Sequence, residues 1–366
     1  MVRRVRLGRR DASRRARRWA GPPPLLLVAT LIGFLVAPLV GHQPEPPPAA
    51  RIAAHVTAPG ARDSVLTASP THPRAVADRP PRQRVLSAAP SRAGHAAGAG
   101  LRPVRLKRVH IGVASMNMYR KLSPAQAAHD ARRLTRRPGL DVVGWQEADR
   151  FGRVLHSLPG WDTKTFPFGR RNSEIAVSWR RSEFALVSAR QRQVAQGVSW
   201  RDGRYPFGNR MVGVVTLRHR DTGRLLTVVD AHLPQAIEDL SRPGRWTPTI
   251  NAYRARNQLA RIATTWRSAP GRWVVGTGDY NFDARADARH RPRGGPRRAL
   301  ADTAVSSYQA LGADVAPTFP SNGRRIDYVY VDRAAYRAEQ MRFTGQWVVG
   351  GFASDHNALV TRLVLS

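Results

Sequence analysis

The stretch WVVGTGDYN at residues 273–281 joins an apolar run to two polar side chains. Residues 273–277 are apolar or small, which predicts a buried strand. Asp279 and Asn281 follow it directly, and because residues i and i+2 of an extended chain face the same side, their side chains are expected to project together. By itself Gly-Asp-x-Asn is as typical of a turn as of a site. Its meaning therefore depends on the rest of the chain.

Seven other apolar runs bounded by turn residues predict strands in the last two thirds of the chain. Asp221-Thr222-Gly223 lies between two of them and is typical of a hairpin, so that pair should be antiparallel. Helices are predicted at 123–136, with Ser123 as cap and Pro124 at the first position, and at 249–267. Many strands with few helices favour a mixed α/β or α+β sandwich. The seven runs are residues 109–116, 142–146, 174–179, 211–219, 225–232, 326–331 and 359–365.

Residues 1–41 have the composition of an export signal. Nine arginines and one aspartate lie within residues 1–18, and an apolar run follows at 25–40. A helix of that run would span about 24 Å against a hydrocarbon core of roughly 30 Å, so a cleaved signal peptide and a single-pass anchor both fit. The basic cluster would stay in the cytoplasm and send the rest of the chain outside. We therefore expect an extracytoplasmic protein, secreted or held at the cell membrane by this segment.

Residues 42–103 are dominated by Ala, Pro, Arg and Ser and show no apolar period. This composition predicts a disordered linker. Residues 104–366 then form one folded domain, and the chain's 42% apolar content is enough for a full core.

The formal net charge of +35 raises the local concentration of anions such as nucleic acid or acidic lipid. Nearly all of it is arginine, which is equally typical of a GC-rich genome. Cysteine is absent, which excludes disulfides, thiol catalysis and cysteine-based zinc sites.

Other predicted strands also end in polar residues. Glu147 follows the strand at 142–146, His232 closes the strand at 225–232, and Asp355-His356 precede the last strand. Each alone is typical of a cap, a loop or a surface residue. Hydrolysis of a phosphate ester requires neutralised charge, an oriented water and a protonated leaving oxygen, and carboxylates, amides and imidazoles can supply all three.

Six short motifs in this order resemble the endonuclease/exonuclease/phosphatase superfamily, which includes DNase I-like nucleases, abasic-site endonucleases, inositol polyphosphate phosphatases and bacterial sphingomyelinases. The resemblance covers essentially the whole folded part, so that 104–366 would be a catalytic domain. It implies a DNase I-like four-layer sandwich, in which two packed mixed β-sheets are flanked by helices. The motifs are Ser115-Met116-Asn117, Gln146-Glu147, Asp230-Ala231-His232-Leu233, Gly278-Asp279-Tyr280-Asn281, Ile326-Asp327-Tyr328-Val329 and Ser354-Asp355-His356.

The resemblance also implies a metal site. Glu147 would bind the ion, Asn117 would support the ligand shell, and Asp355 would be a further ligand or lie just behind one. Hard oxygen ligands of this kind suit Mg²⁺, with Mn²⁺ or Ca²⁺ as alternatives.

The remaining motif residues would act on the substrate. Asp279 and Asn281 would orient the attacking water and the scissile phosphate. His356, held by Asp327, would act as base or phosphate contact, and His232 would protonate the leaving oxygen or bind the phosphate. A carboxylate that holds an imidazole fixes its tautomer and raises its basicity.

Two further matches indicate the DNase I-like branch, and one residue departs from the family pattern. Glu174 falls where those nucleases place a carboxylate behind the second histidine, and Arg210 where they place a phosphate-binding arginine. Asp230 replaces the Asn usual two residues before His232, and its charge could serve the metal or face solvent. The abasic-site enzymes' Trp-Asn and downstream acidic residue are missing near Asn117, which disfavours a DNA-repair role.

These observations lead to one main hypothesis, an exported or membrane-tethered metal-dependent phosphodiesterase acting on nucleic acid. The enzyme alternative is a phosphatase or a phospholipid or sphingomyelin phosphodiesterase at the cell surface, for which Trp246 or residues 347–349 could form an exposed aromatic hairpin. From another class, a catalytically silent module could bind an anionic polymer. The Arg-rich insertion at 285–298 is the most individual of the loops expected to set substrate choice. No feature indicates a protein partner, and a monomer is expected.

Overall fold

The computed structural model describes residues 107–168, 171–203 and 205–366. The predicted signal or anchor and the predicted linker both lie outside these residues. Among the helices of the described ranges, none has the length and apolar character needed to span a membrane.

The strands form two six-stranded sheets that pack against each other. Sheet A has the order β11-β12-β1-β2-β4-β3 and sheet B the order β5-β6-β7-β8-β10-β9. Each is mixed, because β1 pairs with β2 and β7 with β8 in parallel while the other pairs are antiparallel. The strands are β1 Val109–Asn117, β2 Val142–Gln146, β3 Trp161–Phe168, β4 Arg171–Arg180, β5 Phe184–Ala195, β6 Arg210–His219, β7 Leu225–His232, β8 Trp273–Asp279, β9 Ala304–Ser306, β10 Asp327–Asp332, β11 Met341–Val349 and β12 Ala358–Leu365.

All eight predicted strands are inner strands of the two sheets. The strands that the sequence did not indicate, β3, β5, β9 and β11, are the four edges. Inner strands are covered on both faces and read as continuous apolar runs, whereas an edge strand such as β5 alternates irregularly between buried and exposed positions. The predicted antiparallel hairpin of β6 and β7 is confirmed.

Helices cover the outer faces and complete the expected four layers. The first helix begins with a capping box in which Ser123 and Gln126 exchange hydrogen bonds, with Pro124 at its first position as predicted. The long helix at Ile250–Arg267 is capped by Thr249, also as predicted. The helices are α1 Pro124–Thr135, α2 Gly152–His156, α3 Ile250–Arg267, α4 Ala284–His290, α5 Pro296–Ala299, α6 Ser307–Leu311 and α7 Arg333–Arg337.

Two apolar cores hold the layers together. One lies between α1 with α2 and the outer face of sheet A, and the other fills the space between the sheets and beneath α3. Trp246 and Trp347 both pack against these cores, so neither forms the exposed aromatic hairpin considered for a lipid substrate.

Candidate functional site

The strand register brings the predicted side chains to one rim of the sandwich. In sheet B, His232 lies beside Asp279 across the parallel β7 and β8 pair, and Asp327 lies on the other side of Asp279 across the antiparallel β8 and β10 pair. In sheet A, Asn117 pairs with Gln146, and Glu147 follows directly. Five motifs thus meet because five inner strands start or end at the same rim.

Asp279 is the centre of the cluster. Its Oδ2 accepts a hydrogen bond of 3.0 Å from Asn117 and lies 3.4 Å from Nε2 of His232 and 3.8 Å from Nε2 of His356. Burial alone would raise the pKa of this carboxyl, but its hydrogen bond with His232, the two imidazole charges and the backbone N–H of Asn281 hold the pKa well below its usual range. Asp279 therefore carries a firm negative charge between two imidazoles.

His356 is held from behind by Asp327. Its Nδ1 lies 2.9 Å from Oδ2 of Asp327, and both side chains are buried. Burial would lower the pKa of His356, but the charge and hydrogen bond of Asp327, with Asp279 and Asp355 adding, raise it to about 9. His356 is therefore an imidazolium at neutral pH. Ser354 fixes its loop by donating to the backbone oxygen of Asn117 and accepting from the His356 N–H.

The second imidazole has its own carboxylate. Nδ1 of His232 lies 3.2 Å from Glu174, which also pairs with the buried guanidinium of Arg210. Arg210 lies over the ring of Phe207, with 4.9 Å between the guanidinium carbon and the ring centroid. Burial and the charge of Arg120 lower the pKa of Arg210 to about 9, which leaves it positive at neutral pH. Glu174 and Arg210, the two residues suggested by the match to the DNase I-like branch, thus both contact His232.

Asn281 reaches the pocket by a route that the sequence did not indicate. The expectation of an extended Asp279-Tyr280-Asn281 segment is wrong, because β8 ends at Asp279 and Asn281 has a left-handed backbone with φ of 48°. Its side-chain amide donates to Leu233 O and lies 3.4 Å from Oδ2 of Asp279. Arg324 donates to the Asn281 carbonyl at 2.9 Å and pairs with buried Glu238, so a salt bridge fixes this turn.

The candidate metal ligands line the same pocket, which has a volume of about 420 Å³. Glu147 follows β2 with a left-handed φ of 53°, and its Oε2 accepts from the backbone N–H and from Nε of Arg120. The Arg120 guanidinium also lies 2.8 Å from Glu174. Asn117 is engaged with Asp279 and, through its oxygen, with the N–H of Tyr119. Asp355 is exposed at the pocket edge.

A model of the endonuclease/exonuclease/phosphatase family matches residues 114–356, which includes every motif named above. The chain belongs to the endonuclease/exonuclease/phosphatase family. Members of this family are phosphoester hydrolases and typically use divalent metals. No curated protein sequence matches the chain.

Solved structures of this family share the fold at low sequence identity. A family protein from Bacteroides thetaiotaomicron is 15% identical, covers 71% of this chain and 97% of its own, and has a TM-score of 0.53. One from Bacteroides vulgatus is 16% identical and covers 70% of this chain and 100% of its own, also with a TM-score of 0.53. TDP2 of D. rerio in complex with a single-strand DNA product is 14% identical, covers 69% and 98%, and has a TM-score of 0.51.

The donor chemistry of the pocket suits the divalent ions that this family uses. Among the described residues, the group whose ligand atoms lie within 4.8 Å of one another is Asp279, Asp327 and His356. That group differs from the predicted ligands, and His356 in it already bonds Asp327. The pKa of Glu147 is lowered because the charges of His232 and Arg120 outweigh its burial, so its oxygens are available as an anion.

Asp230 lies outside the pocket, contrary to both readings of its sequence position. It is fully buried between the sheets, where its Oδ1 accepts hydrogen bonds of 2.7 Å from Gln146 and from Thr277. Gly144 makes room for this network, since a Cβ there would lie 1.9 Å from the Thr277 hydroxyl. Burial raises the pKa of Asp230 well above its ordinary value. Asp230 therefore neither lines the candidate metal pocket nor faces solvent.

Two further features of the pocket differ from expectation. Arg120 was missed, because one arginine in so Arg-rich a sequence carries no signal of its own. The Arg-rich insertion at 285–298, expected beside the pocket, supplies none of its lining residues within the described ranges. That insertion folds into α4 and α5 on the outer layer instead.

Proposed function

We propose that this protein is a metal-dependent phosphodiesterase that hydrolyses nucleic acid. The observation that carries the proposal is the pair of carboxylate-backed imidazoles on either side of Asp279. A diester needs a proton at the leaving oxygen and positive charge at the nonbridging oxygens, and two differently placed imidazoles provide both.

The roles follow from the contacts of each side chain. Asp279 orients the attacking water by accepting its hydrogen bond, and it takes the water's proton as the oxygen bonds to phosphorus. His232, whose Nδ1 faces Glu174, protonates the leaving oxygen as the bond to phosphorus breaks. His356 stays protonated beside Asp327 and binds a nonbridging oxygen, while the Asn281 amide positions the phosphate.

A divalent ion fits beside these groups, with Mg²⁺ as the first candidate and Mn²⁺ or Ca²⁺ as alternatives. Glu147 would hold it, with Asp355 and Asn117 contributing. When bound, it would neutralise charge on the phosphate oxygens. Arg120 already pairs with Glu147, so the two cations would share that carboxylate.

Nucleic acid is favoured as the substrate by the excess of positive charge and by Arg210 next to the pocket. The fold accommodates DNA in TDP2 of D. rerio. We also propose that the protein acts outside the cytoplasm, secreted or anchored by its N-terminal segment, as the composition of residues 1–41 indicates.

The test is incubation of the purified full chain with plasmid DNA and with RNA in Mg²⁺, with and without EDTA. Cleavage of either polymer should require the metal and return when Mg²⁺ is added in excess. An Asp279→Asn variant controls for contaminating nuclease. No chelator-sensitive cleavage of either polymer, together with turnover of inositol phosphates or sphingomyelin, would contradict the nucleic-acid assignment.

A further inference from the structure

A second site lies on the outer layer of sheet B, formed in part by the Arg-rich insertion. It has two adjoining parts that share Arg297 and Gln309. We call them the tyrosine cavity, of about 180 Å³, and the arginine groove, of about 460 Å³. None of the described residues lines both this site and the catalytic pocket.

The tyrosine cavity has flat aromatic walls. Tyr328 and Tyr330 project from the same face of β10, with ring planes 4° apart and centroids 5.5 Å apart. Tyr308 stands at 89° to Tyr328 and forms the adjacent wall. The volume is several times that of one water and below that of a drug-sized pocket, so a single planar ring fits it.

The cavity also carries buried polar atoms without partners. Among the described residues, Oδ1 of Asp287 and the hydroxyl of Tyr330 have no hydrogen-bond partner, although both side chains are almost fully buried. Such groups are costly unless a ligand or water satisfies them. Asp287 and Tyr330 both line the cavity, so a ring with N–H donors and acceptors on its edge is the kind of ligand that would bind there.

The arginine groove supplies the complementary charge. Arg291, Arg297, Arg298 and Arg333 line it, and no carboxylate in the described part of the chain forms an ion pair with any of them. By contrast, Arg285 of the same insertion is paired with Asp314. Unpaired guanidinium groups that converge on one groove bind phosphate by charge-assisted hydrogen bonds.

We infer that the tyrosine cavity and the arginine groove form one nucleotide site, with the base in the cavity and the phosphate on the arginines. The ligand is a free nucleotide or the terminal nucleotide of a nucleic acid, since both present the same base and phosphate. The inference does not rest on the proposed catalytic function. The site is nevertheless connected to β10, the strand that carries Asp327, because the Tyr308 hydroxyl donates to the backbone oxygen of Asp327.

The test is a calorimetric titration of the full chain in EDTA, which suppresses metal-dependent turnover. The probes are AMP, ribose 5-phosphate, adenosine, inorganic phosphate and a 5′-phosphorylated oligonucleotide. AMP should bind at least tenfold more tightly than ribose 5-phosphate, adenosine or phosphate. The oligonucleotide identifies the source, since tighter binding than AMP indicates a nucleic-acid end and weaker binding a free nucleotide.

Variants assign the binding to this site. The Arg297→Gln/Arg298→Gln double variant should weaken AMP at least tenfold, and Ala288→Phe, which narrows the cavity from an exposed wall, should weaken AMP but not inorganic phosphate. Two control variants should bind AMP normally. Arg289→Gln lies on α4 like Ala288 but lines neither the tyrosine cavity nor the arginine groove, and Asn281→Ala lies in the catalytic pocket. Each variant's melting temperature checks its fold. The inference is overturned if AMP and phosphate bind equally, or if Asn281→Ala abolishes binding.

Discussion

Asp230 and Asp279 are both buried aspartates, on the neighbouring parallel strands β7 and β8. Asp279 lies at the rim of the sandwich, and Asp230 pairs with Thr277, two residues back from the rim. Asp279 is surrounded by two imidazoles and an amide, which lower its pKa. Asp230 receives only neutral donors, Gln146 and Thr277, and its pKa is raised. Burial therefore does not distinguish the carboxylate that lines the pocket from the one that lies between the sheets. The charge of its partners does.

The sharpest way to break this comparison is to remove the charge of each aspartate in turn. Asp279→Asn should lower kcat by about 10²–10³-fold, because the neutral amide cannot take the proton of the attacking water. Asp230→Asn should change kcat by less than about threefold, since Oδ1 of the amide can accept both existing hydrogen bonds. Turnover rates of the two variants at saturating metal and substrate measure both effects. Equal losses in the two variants would contradict the distinction.

A smaller effect is expected one contact further from the reaction. Asp327→Asn should cost about 10–100-fold in kcat/KM, as loss of a carboxylate behind an imidazole does elsewhere. The pKa of His356, about 9 in the protein, should fall toward the ordinary imidazole value near 6.5. Activity that needs protonated His356 should then decline at lower pH than in the unmodified protein. A pH–rate profile of both proteins measures this, and an unmoved alkaline limb would count against the pairing.

Glu174→Gln should lower kcat/KM by less, about tenfold, because the amide still reaches His232 and only the charge is lost. Separate measurements of kcat and KM distinguish two roles for Glu174. If Glu174 acts through His232, kcat falls. If its main role is to hold Arg210, KM rises, since the guanidinium is then free to move from its place beside the pocket.

The smallest expected effect is on stability, and it concerns Asp230 alone. A carboxyl whose pKa is raised by folding contributes stability below its unfolded pKa near 3.9, and that contribution is lost as pH rises toward the folded pKa. Asp230→Asn should therefore raise Tm by about 2–4 °C at pH 8, and by less at pH 4. Thermal unfolding at the two pH values tests the sign. A variant that is less stable at pH 8 would contradict the raised pKa of Asp230.

The sequence predicted the inner strands, the two long helices and the pocket residues, because each depends on a local pattern. Apolar runs mark strands covered on both faces, and polar residues at their ends meet once those strands pair. Edge strands such as β5 lack such a run, since half of their side chains face solvent. The left-handed turn at Asn281 was not predicted, because it is fixed by Arg324 and Glu238 from distant segments.

The location of Asp230 and of the Arg-rich insertion also required the three-dimensional structure. One residue separates Asp230 from His232 in sequence, and both side chains face the same side of β7. Asp230 lies two residues back from the rim, however, where the space above Gly144 places it in the network between the sheets. The insertion resembles a substrate loop in composition, but it follows β8 onto the outer layer through α4 and α5. Composition predicts which charges exist and not which face carries them.

The left-handed backbone at Tyr119, Glu147 and Asn281 has a consequence for how this enzyme could be engineered. Each follows a strand that ends at the pocket, and for non-glycine residues such a conformation costs on the order of 1 kcal/mol or more. Replacing Glu147 with Asn, which tolerates this conformation better, should make the domain more heat-resistant and a poorer catalyst. Selection for thermostability alone would therefore erode the pocket before the sheets, and a screen for hardier variants has to score turnover as well.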